Sequence, residues 1–481
     1  MSFTSIQFLM FFPIVVLVLL IVPKAARTWW LLLASYYFYM CWNLKYAVLL
    51  VFSTLTTYLT GRVLEKTDVE KQKKKIVALC CIVNFLILFI FKYFDFALES
   101  VNWVLNGAGM GAIESHIDLL LPVGISFYTF QAIGYIIDVY RGDRAEHDFI
   151  KYALFVSFFP QIGSGPIERS KNIFPQLEEL KTRNLWDYDR IKNGLLLMLW
   201  GMFQKIVIAD RLALYVDTVY NNCQNYGLLV ILVAMVLYSF QIYCDFDGYS
   251  NMARGVAQVM GIHIMKNFKC PYFATNIQEF WRRWHISLTS WFRDYLYISL
   301  GGNRKGELRK QLNVLIVFAI SGLWHGANWN YVIWGLLHGM MQVIHNLFRK
   351  FTKKKEKSFV SKLVNGAFTF GFVTVTWLFF RMSSMEQLVA MVKQMVGGLG
   401  DFSSIFNVIG VGDRNLLIVG VIILFIVDIV HEKGVGIREW VSRQKIWLRY
   451  ILYIGVIASC IYLGVHTSVV GAAQQFIYFQ F

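Results

Sequence analysis

The chain has 481 residues, of which 57% are hydrophobic and only 16% are charged, and it contains just seven prolines. Apolar runs of membrane-spanning length recur from end to end, which excludes a soluble globular protein and indicates a polytopic membrane protein built of α-helices. The formal charge of +16 does not require a nucleic-acid partner, because the lysines and arginines cluster at the ends of apolar runs, as the positive-inside rule expects. We predict an all-α protein in contact with membrane lipids and with no nucleic acid.

The apolar runs predict about 11–12 transmembrane helices, the first of which is an uncleaved span, because residues 1–5 lack the basic start of a signal peptide. The predicted spans are residues 6–22, 28–43, 46–60, 76–98, 119–140, 194–216, 228–246, two helices within 310–349, 364–380, 416–430 and 451–465.

Basic clusters fix the predicted topology. Residues 24–27, 62–75 and 141–192 carry many lysines and arginines and are expected to be cytoplasmic, which places the N-terminus outside and makes residues 99–118 an outer loop. The charge run at residues 353–357 reads as a solvated cytoplasmic hinge.

A single membrane domain over residues 1–481 is expected. It would comprise a motif-bearing part, residues 1–348, and C-terminal helices over residues 364–481. Many transporters have related halves, and the sequence shows no such repeat, which counts against a carrier.

Residues 157–169 (SFFPQIGSGPIER) are too polar for a span. They contain four residues that forbid a continuous helix, namely Pro160, Gly163, Gly165 and Pro166. Broken backbone at membrane depth is tolerated only where it is buried in protein or lines a cavity. We therefore expect this stretch to be buried.

Residues 276–300 (NIQEFWRRWHISLTSWFRDYLYISL) predict one interfacial amphipathic helix that ends at the following glycine pair. At helical spacing its tryptophans gather on one face and its arginines spread over the other. His285 falls at the edge of the apolar face beside Trp281 and Phe292, so it is expected to point into the protein.

Residues 310–349 read as two apolar helices that fold back on each other near residues 327–330, with His325 near the turn. Counted from Lys310, His325 lies about 22 Å into a hydrocarbon core of about 30 Å. An ionisable side chain in such a place indicates a functional site. Two pairs of glycines spaced four apart predict close packing of the hairpin. These pairs are Gly322 with Gly326 and Gly335 with Gly339.

The seven cysteines are scattered with no CxxC pair, and they predict neither a disulfide framework nor a zinc site. Asp245 and Asp247 with Asn251 suggest a cation site, but hard metals need three or more converging oxygens. Because Arg254 is close in sequence, an ion-pair cluster is the simpler interpretation. No metal and no bound cofactor is expected.

Five blocks in order resemble the membrane-bound O-acyltransferase family, and within it the alginate O-acetyltransferase subgroup. They are residues 121–143, 159–169, 243–255, 276–306 and 321–339. The resemblance implies a bacterial, multi-pass enzyme of the cell membrane with a tunnel through the bilayer, which transfers an acyl group from a cytoplasmic thioester to an acceptor hydroxyl. The family's catalytic histidine maps onto His325, and its second motif residue maps onto His285.

The residues themselves suit that chemistry, because transfer from a thioester to an alcohol needs a base for the hydroxyl proton, and a buried neutral imidazole is such a base. We assign this role to His325 and the positioning of the thioester to His285. His338 is as consistent with a core role as with a place in the cavity. Trp324 and Asn328 flank His325 and are predicted substrate contacts. Arg282, Arg283, Arg293 and Arg304 fit either the phosphates of coenzyme A or lipid headgroups.

Three functions stay open. The first is O-acetylation of an envelope or exported polysaccharide with acetyl-CoA as donor, the second is transfer of D-alanine to teichoic acid, and the third is transport or lipid flipping. The predicted outer segments, residues 99–118 and 381–415, are too short to fold alone. Because His325 lies toward the outer leaflet, we expect an extracytoplasmic acetyltransferase partner protein that carries the acetyl group to the polysaccharide acceptor.

Overall fold

The computed structural model describes residues 1–114, 120–351, 358–382, 384–469 and 476–477, and these residues form helices and no β-strand. The all-α prediction is confirmed. The first eleven helices are α1 (Ile6–Ile21), α2 (Arg27–Met40), α3 (Ala47–Glu65), α4 (Glu70–Leu88), α5 (Phe94–Gly107), α6 (Ile125–Tyr140), α7 (Phe149–Ser157), α8 (Phe159–Ile162), α9 (Ser170–Leu180), α10 (Tyr188–Met202) and α11 (Asp210–Asn221).

The remaining helices are α12 (Leu228–Val259), α13 (Ile277–Arg283), α14 (Ile286–Trp291), α15 (Glu307–His325), α16 (Trp329–Phe351), α17 (Phe359–Arg381), α18 (Met385–Gly397), α19 (Val411–Glu432), α20 (Ile437–Ser442) and α21 (Ile446–Val469). Short π-helical segments connect α4 to α5, α10 to α11, and α14 to the turn that precedes α15.

Contacts between residues divide the chain into two units. The first comprises Met1–Gly194, Val256–Met265 and Gly326–Asn328, and the second comprises Leu195–Gly255, Lys266–His325 and Trp329–Phe481. Both histidines of interest belong to the second unit. The expectation of a single domain stays a prediction.

Among the described residues, six helices are long and apolar enough to cross a bilayer, in agreement with a polytopic membrane protein. They are Leu44–Glu65, Glu70–Gly107, Leu228–Val259, Phe359–Arg381, Val411–Glu432 and Ile446–Val465. The other predicted spans also form helices, but several are short: α1 and α6 have 16 residues and α2 has 14. At 1.5 Å per residue such helices are about 21–24 Å long, less than a hydrocarbon core of about 30 Å.

The proline- and glycine-rich stretch at residues 157–169 is broken and buried, as predicted. In the first unit, α7 ends at Ser157, one turn of helix follows as α8, and residues 157–168 are all buried. A Cβ at Gly124 would lie 2.0 Å from the carbonyl oxygen of Ile162, so only glycine lets α6 begin this close to the broken segment. The side chain of Gln161 donates to the carbonyl of Phe155 at 2.9 Å, which satisfies one backbone group that the break leaves open.

The hairpin of α15 and α16 is tightly packed in the second unit. A Cβ at Gly322 would lie 2.1 Å from the carbonyl oxygen of Tyr331, and one at Gly335 would lie 2.2 Å from that of Phe318. Gly339 is nearly as close to the side chain of Phe318, at 3.0 Å. The prediction that small residues bring the two backbones together is confirmed at these three positions.

Three predicted boundaries need correction or lie outside the description. Residues 276–300 do not form one helix, because the chain breaks between α13 and α14. The expected outer loop begins later, because the helix continues to Gly107. The charge run at residues 353–357 lies outside the described residues.

Candidate functional site

His285 lies at the break between α13 and α14, in a left-handed backbone conformation with φ 43° and ψ 54°. This conformation costs a residue with a side chain roughly 1–2 kcal/mol, and in the described part of the chain only Cys270 shares it among non-glycine residues. Asn267 supports the break, since its carbonyl accepts from the N–H of Ile286 at 2.9 Å and its side-chain oxygen accepts from the N–H of Ser287 at 3.3 Å. The side chain of His285 is buried, so the expectation that it points into the protein is confirmed even though the helix breaks at this residue.

His325 is the last residue of α15, and its ring lies beside that of His285. The two ring centroids are 6.4 Å apart, and the two side chains are 3% and 1% exposed, respectively. The structure therefore brings together the two histidines that the sequence singles out, from helices 40 residues apart in the chain.

Aromatic rings enclose the pair. Trp334 of α16 and Phe380 of α17 meet the ring of His325 edge to face at 5.1 and 5.3 Å, and Phe246 of α12 meets the ring of His285 at 4.6 Å. Sequence reasoning missed these three residues, because an aromatic side chain on an apolar helix has the same pattern whether it faces a site or the lipid. The enclosure excludes bulk water, which strengthens any hydrogen bond made inside.

The burial has an electrostatic consequence for His285, which lies outside the six long apolar helices. Loss of solvation lowers the pKa of His285 to about 3. Its imidazole is therefore neutral at physiological pH, with one nitrogen that donates a hydrogen bond and one that accepts.

His338 of α16 is held as part of the protein core. Its Nε2 lies 2.9 Å from the hydroxyl of Thr376, and that hydroxyl donates to the carbonyl of Val373 at 2.9 Å. The hydroxyl must therefore accept from Nε2–H of His338. The ring also packs on Trp281 and Trp334 at 5.1 and 5.0 Å, so we assign His338 a packing role.

A cavity of about 400 Å³ is lined by residues close in sequence to the two histidines, although neither histidine lines it. Its lining includes Ile286, which follows His285, and Ser321, which precedes His325 by one helical turn. Arg282 and Arg293 also line it, and their contact with a charged substrate stays a prediction.

Two of the predicted substrate arginines lie elsewhere. Arg283 points away from the cavity and holds Glu432 with both terminal nitrogens, at 2.6 and 2.9 Å, as well as Glu279 at 2.7 Å. Arg304 lies in an exposed turn and is absent from the cavity lining. The one-residue step from Arg282 to Arg283 moves a side chain by about 100° around a helix, which explains why adjacent arginines differ.

The remaining predicted contacts differ in their surroundings. Trp324 is buried, with its ring 5.1 Å from that of His325 and 6.1 Å from that of His285. Asn328 lies in the turn of residues 326–328, where its N–H donates to the carbonyl of Gly326 at 3.0 Å. A substrate role for either residue stays a prediction.

The acidic pair on α12 has different partners from those expected. Asp245 pairs with Lys205 at 2.7 Å, and Lys205 also pairs with Asp210 at 2.9 Å. Asp247 accepts instead from the side chains of Gln204 and Asn251, each at 2.9 Å. The ion-pair interpretation is confirmed for Asp245, but its cation is Lys205 and not Arg254.

A larger cavity of about 850 Å³ lies in the first unit between α1 and α2, and it has no acidic, basic or histidine side chain in its lining. Size alone does not make a site, because acyl transfer needs a group that accepts a proton. The histidine pair is therefore the candidate site.

Comparison with known proteins finds relatives that include O-acetylases and a D-alanyltransferase. The chain is 36% identical over 387 residues to a peptidoglycan O-acetyltransferase of Helicobacter pylori, an alignment that covers 75% of this chain and 72% of that protein. It is 39% identical over 360 residues to a probable alginate O-acetylase of Pseudomonas putida, covering 74% and 72%. A teichoic acid D-alanyltransferase of Bacillus subtilis is 31% identical over 245 residues, covering 49% of this chain and 62% of that protein.

The family model named MBOAT, membrane-bound O-acyltransferase family, matches residues 31–385. That range is well over half of the chain, and it contains both buried histidines together with the cavity beside them. The sequence resemblance to this family is confirmed, and the protein is a multi-pass membrane enzyme of the O-acyltransferase type. The chain belongs to the membrane-bound O-acyltransferase family.

Proposed function

We propose that this enzyme takes an acetyl group from acetyl-CoA on the cytoplasmic side and transfers it across the bacterial plasma membrane for O-acetylation of a cell-envelope or exported polysaccharide. The observation that carries the proposal is the pair of buried imidazoles, 6.4 Å apart and enclosed by aromatic rings, beside a cavity lined by two arginines. The similarity to a peptidoglycan O-acetyltransferase and to a probable alginate O-acetylase supports the same substrate class.

In this proposal His325 is the general base. The acceptor hydroxyl attacks the thioester carbonyl carbon while the imidazole of His325 accepts the hydroxyl proton, and the tetrahedral intermediate then expels the thiolate of coenzyme A. The imidazolium returns the proton to the departing sulfur, so the histidine ends neutral. Its place at the end of α15, 18 residues from Glu307, gives a distance of about 27 Å along the helix axis. An acceptor on the outer side therefore has only a short way to travel.

His285 positions the donor. A neutral imidazole that donates one hydrogen bond can hold the thioester carbonyl and stabilise the charge that develops on its oxygen. The left-handed backbone at His285 fixes the direction of that donor, and Asn267 in turn fixes the backbone. Geometry of this kind has to be accurate because stabilisation falls quickly with misplacement.

Arg282 and Arg293 would bind the phosphates of coenzyme A at the cavity. The other lining residues include Trp281, Ile286 and Val317, which suit the uncharged pantetheine arm and a small acyl group. Guanidinium groups bind phosphate through paired hydrogen bonds.

D-alanyl transfer is the second candidate, because one relative of 31% identity carries that function. Such a donor is delivered by a carrier protein and needs a docking surface on the cytoplasmic side. Competition between soluble acetyl-CoA and a D-alanyl carrier for the same purified enzyme distinguishes the two.

The acceptor side requires a second protein in this proposal. In the described residues between α17 and α19 the structure has α18 and a short 3-10 helix, Phe402–Phe406, and segments of fewer than about 40 residues rarely fold alone. We propose an extracytoplasmic acetyltransferase partner that accepts the acetyl group on a hydroxyl near the turn of residues 326–328 and passes it to the polysaccharide.

The test is to incubate the purified full chain with radiolabelled acetyl-CoA and to measure release of coenzyme A and transfer to a hydroxyl acceptor. We expect His325→Ala to lose transfer entirely and His285→Ala to retain a reduced rate. The matched control is His147→Ala, an exposed histidine that pairs with Glu65, and it should behave like the unaltered enzyme. Equal residual rates for His285→Ala and His325→Ala would contradict the assigned roles, and full activity of His325→Ala would contradict the proposed site.

A further inference from the structure

Three side chains that the catalytic proposal does not use meet at the end of α19. Cys270 precedes α13 by six residues, and Asp428 and His431 lie on the last turns of α19. One ligand atom from each, namely the Cys270 sulfur, a carboxylate oxygen of Asp428 and an imidazole nitrogen of His431, lies within 4.8 Å of the other two. From this geometry we propose a zinc site formed by Cys270, Asp428 and His431.

The donor set fits zinc. Thiolate, imidazole and carboxylate are the three protein ligands that Zn²⁺ takes, with bonds of about 2.0–2.3 Å. In a tetrahedral site those bonds place ligand atoms about 3.3–3.8 Å apart, so the present arrangement needs shifts of only about 1 Å per side chain. A hard cation such as Mg²⁺ would not select a sulfur ligand.

The local fold presents the three ligands to one point. Asp428 and His431 are three residues apart on α19 and therefore share a helix face. Cys270 reaches that face from a left-handed backbone with φ 41°. The neighbouring Lys269 donates its N–H to the carbonyl of Arg283 at 2.9 Å, which ties this strained position to α13.

The site has one buried side and one open side. Cys270 and Asp428 are buried, whereas His431 is partly exposed. Three protein ligands leave the fourth zinc position for water at the open side. The basic residues that follow α19, among them Lys433 and Arg438, indicate that this end is cytoplasmic, where thiols stay reduced and available to a metal.

The surrounding charges set the expected affinity. Lys266 interacts electrostatically with Asp428 and with His431, and its positive charge would weaken the binding of a dication. Asp247 acts in the opposite sense on Asp428 and Cys270, as does Glu432 on Cys270, but Arg283 engages both oxygens of Glu432. We therefore expect Lys266→Gln to bind zinc more tightly than the unaltered chain.

The function that follows is a clamp. A zinc ion at this point would join α19 to the segment that leads into α13, and α13 carries the chain directly to His285. The salt bridge from Arg283 to Glu432 already links the same two helices. The clamp is independent of which acyl donor or acceptor the enzyme uses.

The test measures metal content of the full chain purified in detergent through a tag that binds no metal. We expect about one zinc per chain, and a loss of affinity of at least about tenfold in Cys270→Ser and in His431→Ala. Cys460→Ser, which changes a buried cysteine on α21, is the matched control and should keep its zinc.

Replacement of zinc by Co²⁺ gives a second readout that needs no activity. Thiolate ligation produces a charge-transfer band in the near ultraviolet, which should appear in the unaltered chain and vanish in Cys270→Ser. His431→Ala tests the proposal even if Cys270→Ser fails to fold, because the side chain of His431 is partly exposed and its loss should disturb the fold less. A chain whose zinc content and cobalt spectrum are the same with and without Cys270 and His431 would overturn the proposal.

Discussion

His285 and His325 differ in how their neighbours fix them. The backbone of His285 is strained and supported by Asn267, whereas His325 ends a regular helix and is fixed by the rings of Trp334 and Phe380. Strained positions persist only where the surrounding structure over-determines them. His285 is therefore the more sensitive of the two to changes in residues it does not touch.

The lowered pKa of His285 predicts a pH dependence of stability. The pKa of His285 is about 3 in the folded chain and about 6.5 in the unfolded chain. Between these two pH values the imidazole is protonated in the unfolded chain and neutral in the folded chain. The free energy of unfolding therefore does not change with pH through this group above about pH 6.5, and it decreases as the pH falls toward 3. Thermal unfolding in detergent should show a steeper fall in Tm with acid for the unaltered chain than for His285→Gln. His147→Gln, at an exposed position, should follow the unaltered chain, and three parallel curves would contradict the prediction.

The hydrogen bond from His338 to Thr376 predicts a stability effect without a catalytic one. Thr376→Val keeps the side-chain shape but leaves the buried Nε2–H without its acceptor. The free energy of unfolding should fall by about 1–3 kcal/mol, with the turnover of the folded fraction unchanged. Thr369→Val on the same helix loses only a bond to its own helix, at Asn365, and should cost much less. A fall in turnover with no change in Tm would give His338 a catalytic role instead.

At the scale of helices, the α15–α16 hairpin depends on backbone contact more than on side-chain packing. Gly335 faces the carbonyl of Phe318 and also lies against Gly322. The two backbones are so close here that a side chain at Gly335 would clash with α15. Because α15 ends at His325 and α16 carries Trp334, a change in this contact moves both the proposed base and one of the rings that enclose it.

We expect Gly335→Ala to destabilise the protein by about 1–3 kcal/mol or more, because the added Cβ would lie 2.2 Å from a carbonyl oxygen and the helices must separate. Gly371→Ala on α17 is the matched control, since no atom lies within 4 Å of its added Cβ. That variant should be neutral or stabilised by up to about 1 kcal/mol. Thermal unfolding measures both, and equal Tm values for the two variants would show that the hairpin backbone adjusts freely.

Much of the helical architecture is predictable from sequence because lipid imposes a simple rule: the backbone must satisfy its own hydrogen bonds, and helices do so. The break at His285 is not predictable in this way. The tryptophan and arginine pattern of residues 276–300 fits one amphipathic helix, whereas Asn267, which holds the break, lies outside that window. A tertiary contact overrides the local periodicity here.

Across the whole chain, the sequence identifies candidate functional residues well, but it does not identify which residues they contact. His285 and His325 stand out because ionisable groups in apolar surroundings are rare, and the structure brings them together. Lys205, by contrast, lies 40 residues from Asp245 on another helix, and Cys270 lies 158 residues from Asp428. No local pattern predicts contacts between residues so far apart in the chain, which explains why the expected partner of Asp245 was Arg254 and not Lys205.

The relay to an external partner makes a prediction about the surface near the hairpin turn. Trp329 begins α16 and is 55% exposed, so its ring is accessible at the hairpin turn where the proposed partner would bind. A photoreactive residue at Trp329 should crosslink to an extracytoplasmic protein in intact cells. The same residue at Phe348, near the other end of α16 and 67% exposed, is the matched control and should not capture that protein. If the purified chain alone acetylates soluble polysaccharide at a rate that membrane extract does not raise, the acceptor hydroxyl must reach His325 directly and no relay exists.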